Sequence, residues 1–353
     1  NSQLWELSVP VISRKLTSVL PETESKQAMV DKTMNINYKE NNSIPIRFWQ
    51  YQKERFPLAR HGLLITVFTF SAASYSRMCR GEDGFISSDR FFTGVITAVF
   101  LFLLLRILDE FKDFEDDSKY RPYRAVPRGL VSLRELGWFG LGMLLFLIII
   151  NALVMPEMLI PFCIVICYML LMAKEFFVPK WLKKHPMIYM FSHMVIMPLI
   201  NGYTTGLDWL SIGKTPPQGV EIFLIVSFFN GIVIEVGRKI RAHEAEENGV
   251  ETYSMLYGPV KATVLWLGSM LITFITAYIA CTFTGFGKAG LILLMVLLSC
   301  CSLPGIRFIK TKKQKLARSI ENAAGIWTIG MYLIVGATPM ITNLLQTIFR
   351  TRL

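Results

Sequence analysis

The sequence predicts an all-α, polytopic membrane protein whose nine transmembrane helices surround a central cavity. Of its 353 residues, 52% are hydrophobic and 18% are charged, and the mean hydropathy is +0.43. This composition is typical of a chain that crosses a bilayer several times rather than of a soluble domain. Apolar windows near the length of a membrane-spanning helix recur along the chain, at Gly62–Met78, Phe91–Leu108, Gly137–Val154, Glu157–Ala173, Met187–Tyr203, Gly219–Ile234, Thr263–Phe283, Ala289–Ile306 and Ala323–Phe349.

The positive charges follow a pattern that predicts the topology. The net charge is +11, and Lys and Arg cluster after the second, fourth, sixth and eighth windows, as in Arg238–Arg241 and Lys310–Arg318. Cytoplasmic loops carry an excess of these residues. We therefore expect the N-terminus and the mouth of any site among these loops to be cytoplasmic. Topology and contact with anionic lipid account for the excess charge, so we expect a lipid bilayer and no nucleic acid as a partner.

The start of the chain differs from the rest. Residues 1 to 42 are polar and mixed in charge, which suits a short helix or a flexible cytoplasmic extension. Ile44–Arg60 mixes aromatic and basic residues, as interfacial segments that lead into a membrane span do. We predict a cytoplasmic or interfacial extension over residues 1–57 and a transmembrane domain over residues 58–353.

The stretch that ends the second window carries the strongest chemical signal. Asp109, Asp113 and Asp117 recur every four residues, which places them on one face of a helix. Carboxylates crowded beside a membrane span repel one another and lose hydration, and a divalent cation relieves both costs. Mg²⁺ fits best, because one or two carboxylates hold it while water and phosphate oxygens complete its shell. The alternative is a solvated acidic helix end with pairs to Lys112 and Arg106.

Basic residues follow these acids directly. Lys119, Arg121 and Arg124 lie in a stretch broken by Pro122 and Pro127, so cations and carboxylates share one mouth of the bundle. A diphosphate ester suits this pairing, because Mg²⁺ bridges its oxygens while Arg and Lys take the remaining negative charge. The stretch therefore predicts a site for a diphosphate.

The same stretch resembles the first aspartate-rich motif of the UbiA superfamily of intramembrane prenyltransferases. The matching pattern is Asp109-Glu110-x-x-Asp113-x-x-x-Asp117, followed by Arg124-x-x-Pro127-x-Gly129. The family motif opens Asn-Asp where this chain has Asp109-Glu110, and its Arg-Pro-Leu is here Arg124-Ala125-Val126. The resemblance extends from about Leu58 to the C-terminus. It implies a nine-helix fold, an isoprenyl diphosphate substrate and Mg²⁺ as cofactor.

Two features lie between the first motif and the fifth window. Ser132 and Glu135 have the spacing of a capping box, which predicts the start of the third spanning helix. Beyond the fourth window, the resemblance implies a basic residue that helps to bind the diphosphate. Lys174, the first cation past the apolar run, is the candidate.

Polar residues interrupt the fifth and sixth windows. His193 and Asn201 lie in the fifth and Asn230 in the sixth, which suits helices that line a cavity. His193 could act as a catalytic base, or it could be a histidine that is hydrogen-bonded within the bundle. We do not assign it to the site.

A second charged cluster follows the sixth window, on the same predicted side as the first. The family places an Asp-x-x-x-Asp motif in this region, whereas this chain offers Glu235 and Glu244 together with Arg238 and Arg241. Glutamate can bind Mg²⁺ with a longer reach, or Arg238 can bind phosphate directly in place of a metal ion. A structural ion pair between Glu235 and Arg238 is the third alternative.

Carried over residue by residue, the resemblance implies three sets of residues, of which the first two overlap. The catalytic residues are Asp109, Asp113, Asp117 and Glu235. The metal ligands are Asp109, Glu110, Asp113, Asp117, Glu235 and Glu244. The residues that bind the diphosphate of the substrate are Lys119, Arg121, Arg124, Lys174, Arg238 and Arg241.

The implied reaction is the Mg²⁺-dependent ionisation of an allylic isoprenyl diphosphate. We predict that the prenyl group is then transferred to an acceptor, whose identity the sequence does not specify. The alternative is a terpene cyclase of the same superfamily, which would cyclise farnesyl or geranylgeranyl diphosphate without an acceptor. A transporter would bind its substrate near the bilayer midplane, and the position of these acids at helix ends argues against one.

Overall fold

Residues 43–247 and 249–350 are described in the computed structural model, with side chains up to Ile348. All regular structure in these ranges is helical, as predicted. Most of the predicted N-terminal extension, residues 1 to 42, lies outside them. The helices are α1 (Ile44–Arg55), α2 (Leu58–Cys79), α3 (Ser88–Lys112), α4 (Phe114–Tyr120), α5 (Leu133–Val154), α6 (Leu159–Ala173), α7 (Pro179–Lys184), α8 (Pro186–Met194), α9 (Ile196–Trp209), α10 (Val220–Arg238), α11 (Tyr253–Tyr257), α12 (Pro259–Phe283), α13 (Gly287–Thr311), α14 (Gln314–Tyr332) and α15 (Thr338–Arg350).

The prediction of a polytopic helical bundle is confirmed, but the number of spans is not. In the described ranges, seven helical stretches are long and apolar enough to cross a membrane, and the bent pair α1 and α2 raises the number to eight. The fifth predicted window, Met187–Tyr203, is divided between α8 and α9, which have 9 and 14 residues. Neither reaches the length of about 20 residues that a membrane-spanning helix needs. The predicted count of nine is therefore not confirmed.

The capping box at the start of α5 is confirmed. Ser132 Oγ accepts a hydrogen bond from the Glu135 backbone N–H at 3.2 Å, and a Glu135 carboxylate oxygen accepts one from the Ser132 backbone N–H at 2.7 Å. Arg47 of α1 donates to the other oxygen of Glu135 at 2.6 Å. The cap of α5 thus also attaches α1 to the bundle. The predicted interfacial segment, which contains α1, therefore packs against α5 through this contact.

The end of α10 is held between two other helices. α10 packs against α12 and α14. Gly237 permits this approach, because a Cβ atom there would lie 2.8 Å from the Cβ atom of Ala324 and 2.9 Å from Nε1 of Trp266. Glu235 and Arg238, which flank this glycine, therefore have a fixed place at the end of the bundle.

The polar residues of the fifth and sixth windows bond across the interior of the bundle. Asn201 is buried and donates to the hydroxyls of Ser227 and Tyr332, the latter at 3.1 Å. Asn230 is also buried and accepts from the Thr328 hydroxyl at 3.2 Å. These bonds connect α9, α10 and α14. The two asparagines pack the interior here, and the central cavity that they were expected to line stays a prediction.

An ion-pair cluster fixes the end of the bundle opposite the first motif. Asp208 of α9 is buried and accepts two hydrogen bonds from Arg80, each at 2.9 Å, and one from Arg77 at 3.4 Å. Ser76 adds a fourth at 2.9 Å. A buried carboxylate needs such partners to remain charged. The cluster joins α2 to α9. Its charged residues are therefore structural and lie at the end of the bundle opposite the first motif.

Candidate active site

The first motif lies across the break between α3 and α4. α3 ends at Lys112, Asp113 occupies the junction, and α4 carries Asp117. The single helix expected to carry all three aspartates is therefore interrupted. Asp109 and Asp113 still face a common point, because their Oδ1 atoms lie 3.5 and 4.0 Å from the Nζ atom of Lys112. Two carboxylates and one ammonium group form this part of the site.

Asp113 has an unusual environment for a carboxyl group. Although 40% of its side chain is exposed, the surrounding protein withdraws water from the carboxyl, and this desolvation raises the pKa of Asp113 to about 6. The charges of Asp109 and Asp117 act in the same direction, and Lys112 opposes them. A cation placed beside Asp113 would favour its ionised form.

Asp117 forms a compact unit with two arginines. Its side chain is 2% exposed, Arg121 Nε lies 3.1 Å from Oδ1, and Arg124 Nη1 donates to Oδ2 at 2.6 Å. Two guanidinium groups share one carboxylate, so the unit carries a net positive charge. The structure thus brings three predicted site residues together. That Asp117 binds a metal ion and the arginines a diphosphate stays a prediction.

Glu110 faces α1. Arg55 Nε donates to its Oε1 atom at 2.6 Å, Arg106 Nη2 donates to the same atom at 3.1 Å, and the Glu110 side chain is 1% exposed. Two arginines therefore already balance its charge. This arrangement gives the predicted role of Glu110 as a metal ligand no geometric support. It shows instead that α1 is attached to the helix end that carries the first motif.

The second cluster contains the ion pair that was the third alternative. Arg238 bonds to Glu235 Oε2 through Nε at 2.8 Å and also through Nη2, and Lys239 Nζ lies 2.8 Å from Oε1. The Glu235 side chain is 12% exposed and that of Arg238 is 52% exposed. Arg238 can face an incoming anion while it remains bonded to Glu235.

The other predicted site residues are peripheral. Arg241 Nη1 lies 2.9 Å from Glu247 Oε1, and 29% of the Arg241 side chain is exposed. Glu244 is exposed, and no ion pair to it is present in the described ranges. Lys119 and Lys174 are exposed, in α4 and directly after α6. Lys119 Nζ lies 4.9 Å from the centroid of the Tyr120 ring.

The loops of the two motifs pack against each other. Gly249 has a φ of +75°, and a Cβ atom there would overlap the Tyr120 ring at the end of α4. Glycine is favoured at this position both by the positive φ and by the close approach. Tyr123 Oη donates to a Glu247 carboxylate oxygen at 3.4 Å. The prediction that both motifs lie at one mouth therefore agrees with the contacts of the described residues.

Sequence reasoning missed two residues of this site and gave a third a different role. Lys112 was considered only as a surface partner of the acids, and Arg55 and Tyr189 were not singled out. Tyr189 Oη accepts a hydrogen bond from Lys112 Nζ at 3.0 Å, and the Tyr189 ring stacks on His193 with centroids 4.0 Å apart. The spacing of Tyr189 and His193 places them on one face of α8. This spacing was the available signal for Tyr189.

The site fits Mg²⁺ in part. In residues 43–247 and 249–350, no three His, Cys, Asp or Glu side chains are grouped so that they could hold a metal ion. The six predicted ligands therefore do not form one cluster. Asp109 and Asp113 do suit Mg²⁺, because they are partly exposed and converge on one ammonium group. One or two carboxylates suffice when water and phosphate oxygens supply the remaining ligands.

Fold and site together define a helical membrane protein with a mixed acidic and basic site at one mouth of its bundle. The chain belongs to the UbiA prenyltransferase family, whose family model matches residues 64–333. The resemblance noted for the first motif is thereby confirmed over most of the chain. No curated protein matches the sequence.

Two solved structures are similar to this chain. One is described as a digeranylgeranylglyceryl phosphate synthase in membranes, with 17% sequence identity, a TM-score of 0.55, and coverage of 82% of this chain and 98% of that chain. The other is a UbiA homologue from Archaeoglobus fulgidus bound to GPP and Mg²⁺, with 12% identity, a TM-score of 0.44, and coverage of 81% and 99%. At this level of identity, the first likeness shows the fold.

Proposed function

We propose that the protein is a Mg²⁺-dependent membrane enzyme that ionises an isoprenyl diphosphate and transfers the prenyl group to an acceptor. Membership of the UbiA prenyltransferase family supports this class of reaction. The observation that carries the proposal is the contact between the loops of the two motifs: Tyr123 Oη donates to a Glu247 carboxylate oxygen at 3.4 Å, and Gly249 lies against the Tyr120 ring. Carboxylates for a metal ion and cations for a diphosphate are thus available together.

The reaction breaks the allylic C–O bond, and the electron pair leaves with the diphosphate. When bound, Mg²⁺ neutralises charge that develops on the departing oxygens. Asp109 and Asp113 would hold the metal ion. Arg124 and Arg238 would donate charge-assisted hydrogen bonds to the diphosphate, which are stronger than bonds between neutral groups. A nucleophilic carbon or oxygen of the acceptor then forms the new bond and loses its proton.

The apolar helices serve the second half of the reaction. The prenyl chain would lie among the spanning helices, where water is excluded and cannot capture the allylic cation. We further propose that the mouth and the N-terminus are cytoplasmic, which the basic loops support. Residues 58–353 would form the catalytic domain. Phe56 and Pro57 separate α1 from α2 at the proposed boundary with residues 1–57.

Product analysis without an acceptor tests the proposed transfer. Purified protein receives geranyl, farnesyl or geranylgeranyl diphosphate singly with Mg²⁺, and hexane extracts are analysed by mass spectrometry. A transferase without its acceptor holds a cation that recombines or meets water, so we expect slow turnover to linear alcohols. A dominant cyclic terpene would identify a cyclase instead. Absence of turnover and of binding for all three diphosphates would contradict both reactions.

The second motif gives a test of diphosphate binding. Arg238→Ala removes a half-exposed guanidinium, and we expect it to weaken binding of an unreactive thio-diphosphate analogue by about 1.5–3 kcal/mol, as for charged hydrogen bonds. Glu235→Gln should weaken binding less, because Glu235 touches Arg238 and Lys239 rather than the anion. Isothermal titration calorimetry measures both. The reverse order of effects would indicate that Glu235 binds a metal ion.

A further inference from the structure

The ammonium group of Lys112 lies beside both carboxylates that would hold the metal ion in the proposed reaction. Its Nζ atom lies 3.5 Å from an Asp109 oxygen and 4.0 Å from an Asp113 oxygen. It donates a hydrogen bond of 3.0 Å to Tyr189 Oη and lies 5.6 Å from the centroid of that ring. Lysine side chains usually extend their charged end into water, whereas the side chain of Lys112 is 14% exposed. The ammonium group is therefore held by groups from two separate parts of the chain.

The partner on α8 is itself fixed. The Tyr189 ring stacks on His193 with an interplanar angle of 14°, and a ring nitrogen of His193 lies 2.9 Å from the backbone oxygen of Tyr189. The hydroxyl that accepts from Lys112 thus has a defined position. Lys112 therefore differs from the flexible lysines of the surface. Its place between two carboxylates is set by packing.

We infer that Lys112 is a resident cation that occupies the divalent-cation position between Asp109 and Asp113 until Mg²⁺ arrives with the diphosphate. Mg²⁺ binds carboxylate oxygens at about 2.0–2.1 Å, so an ammonium group near the same two oxygens would repel it at close range. Lys112 must then swing away, and the incoming diphosphate offers the displaced ammonium new oxygen partners. This inference rests on the proposed function. It predicts an order of binding. Free Mg²⁺ should bind weakly, and the diphosphate should be required for tight binding.

Mn²⁺ alone is the probe for this inference. The loss of the free Mn²⁺ signal in electron paramagnetic resonance measures its binding to the full chain in detergent, without diphosphate. Lys112→Met keeps an apolar stem and removes the charge, and we expect it to raise the affinity for Mn²⁺ by about tenfold or more. Lys112→Arg keeps the charge and should bind Mn²⁺ as weakly as the wild-type protein. Adding Asp113→Asn to Lys112→Met should abolish the gain.

A matched lysine controls for the loss of positive charge itself. Lys183 also lies near a carboxylate, with Nζ 3.4 Å from an Asp116 oxygen, but both side chains are 60% exposed. Lys183→Met should leave Mn²⁺ affinity unchanged within about twofold. Thermal melts of each variant show whether it is folded, and Lys112→Gln, which also removes the charge and should show the same gain, decides the question if Lys112→Met is not folded.

The wild-type protein with Mn²⁺ and farnesyl thiodiphosphate separates the two ways of failing. If Mn²⁺ binds tightly in this complex but Lys112→Met does not bind Mn²⁺ alone more tightly than wild type, the role of Lys112 is wrong and the proposed function stands. Tight Mn²⁺ binding by the wild-type protein alone would also overturn the inference. If Mn²⁺ binds in none of these samples, the metal site of the proposed function is wrong as well.

Discussion

Asp113→Asn is expected to lower turnover by about a hundredfold or more, because the variant loses one of the two carboxylates that suit a metal ion. Asp113 lies at the junction of α3 and α4 and faces the same ammonium group as Asp109. The amide of asparagine has nearly the same shape but no charge. Steady-state rates at saturating diphosphate and a range of Mg²⁺ concentrations measure the effect. Removal of Mg²⁺ by excess EDTA should abolish the activity of the wild-type protein.

Asp116, an exposed acid on α4, provides the control for this result. Asp116 is 60% exposed and its contact is the equally exposed Lys183. Asp116→Asn should keep the wild-type rate within about twofold, because exposed ion pairs contribute little. Rates for Asp113→Asn near those of wild type, or full activity in EDTA, would show that these carboxylates do not act through a metal ion.

Asp117→Asn should also lower turnover by about a hundredfold, but because the variant loses the carboxylate that positions two arginines. Asp117 contacts Arg121 and Arg124 directly. Its loss would leave two guanidinium groups without their shared carboxylate and free to move from the mouth. Turnover should therefore fall, and a thio-diphosphate analogue should bind less tightly by calorimetry. An unchanged affinity with a reduced rate would instead point to Asp117 as a metal ligand alone.

Local patterns in the sequence were sufficient for the architecture of the bundle. Apolar windows, basic loops and the Ser132 capping box are encoded within short stretches, so hydropathy and spacing reveal them. The fifth window shows the limit of this approach. It is apolar on average, but α8 ends at Met194 and α9 begins at Ile196. Mean hydropathy over a window does not register such a break.

The candidate site could be predicted only where its residues are close in sequence. Asp109 and Asp113 were found because they are four residues apart. The bond between Lys112 and Tyr189 joins residues 77 positions apart, and that between Arg55 and Glu110 joins residues 55 positions apart. No local pattern encodes these pairs, since they depend on how α1 and α8 pack against α3. The contacts of Glu110 with α1 and of Lys112 with α8 are therefore properties of the tertiary structure.

The pair formed by Arg55 and Glu110 gives a large expected effect on stability rather than on turnover. Glu110 is 1% exposed, and Arg55 donates to it at 2.6 Å from α1. Arg55→Gln would leave a buried carboxylate with Arg106 as its remaining charged partner. Removing one partner of a buried pair is strongly destabilising, so we expect a loss of about 3 kcal/mol in the free energy of unfolding. Unfolding by SDS in mixed micelles measures this loss.

The neighbouring residue of α1 supplies the matched control. Glu54 pairs with Arg128 at 2.7 Å, but their side chains are 33% and 25% exposed, and Glu54→Gln should cost less than about 1 kcal/mol. The double variant Arg55→Gln with Glu110→Gln removes both charges of the buried pair. We expect it to recover much of the loss, because no buried charge is then left without its partner. If Arg55→Gln is as mild as Glu54→Gln, α1 is a peripheral anchor and does not hold the end of α3 in place.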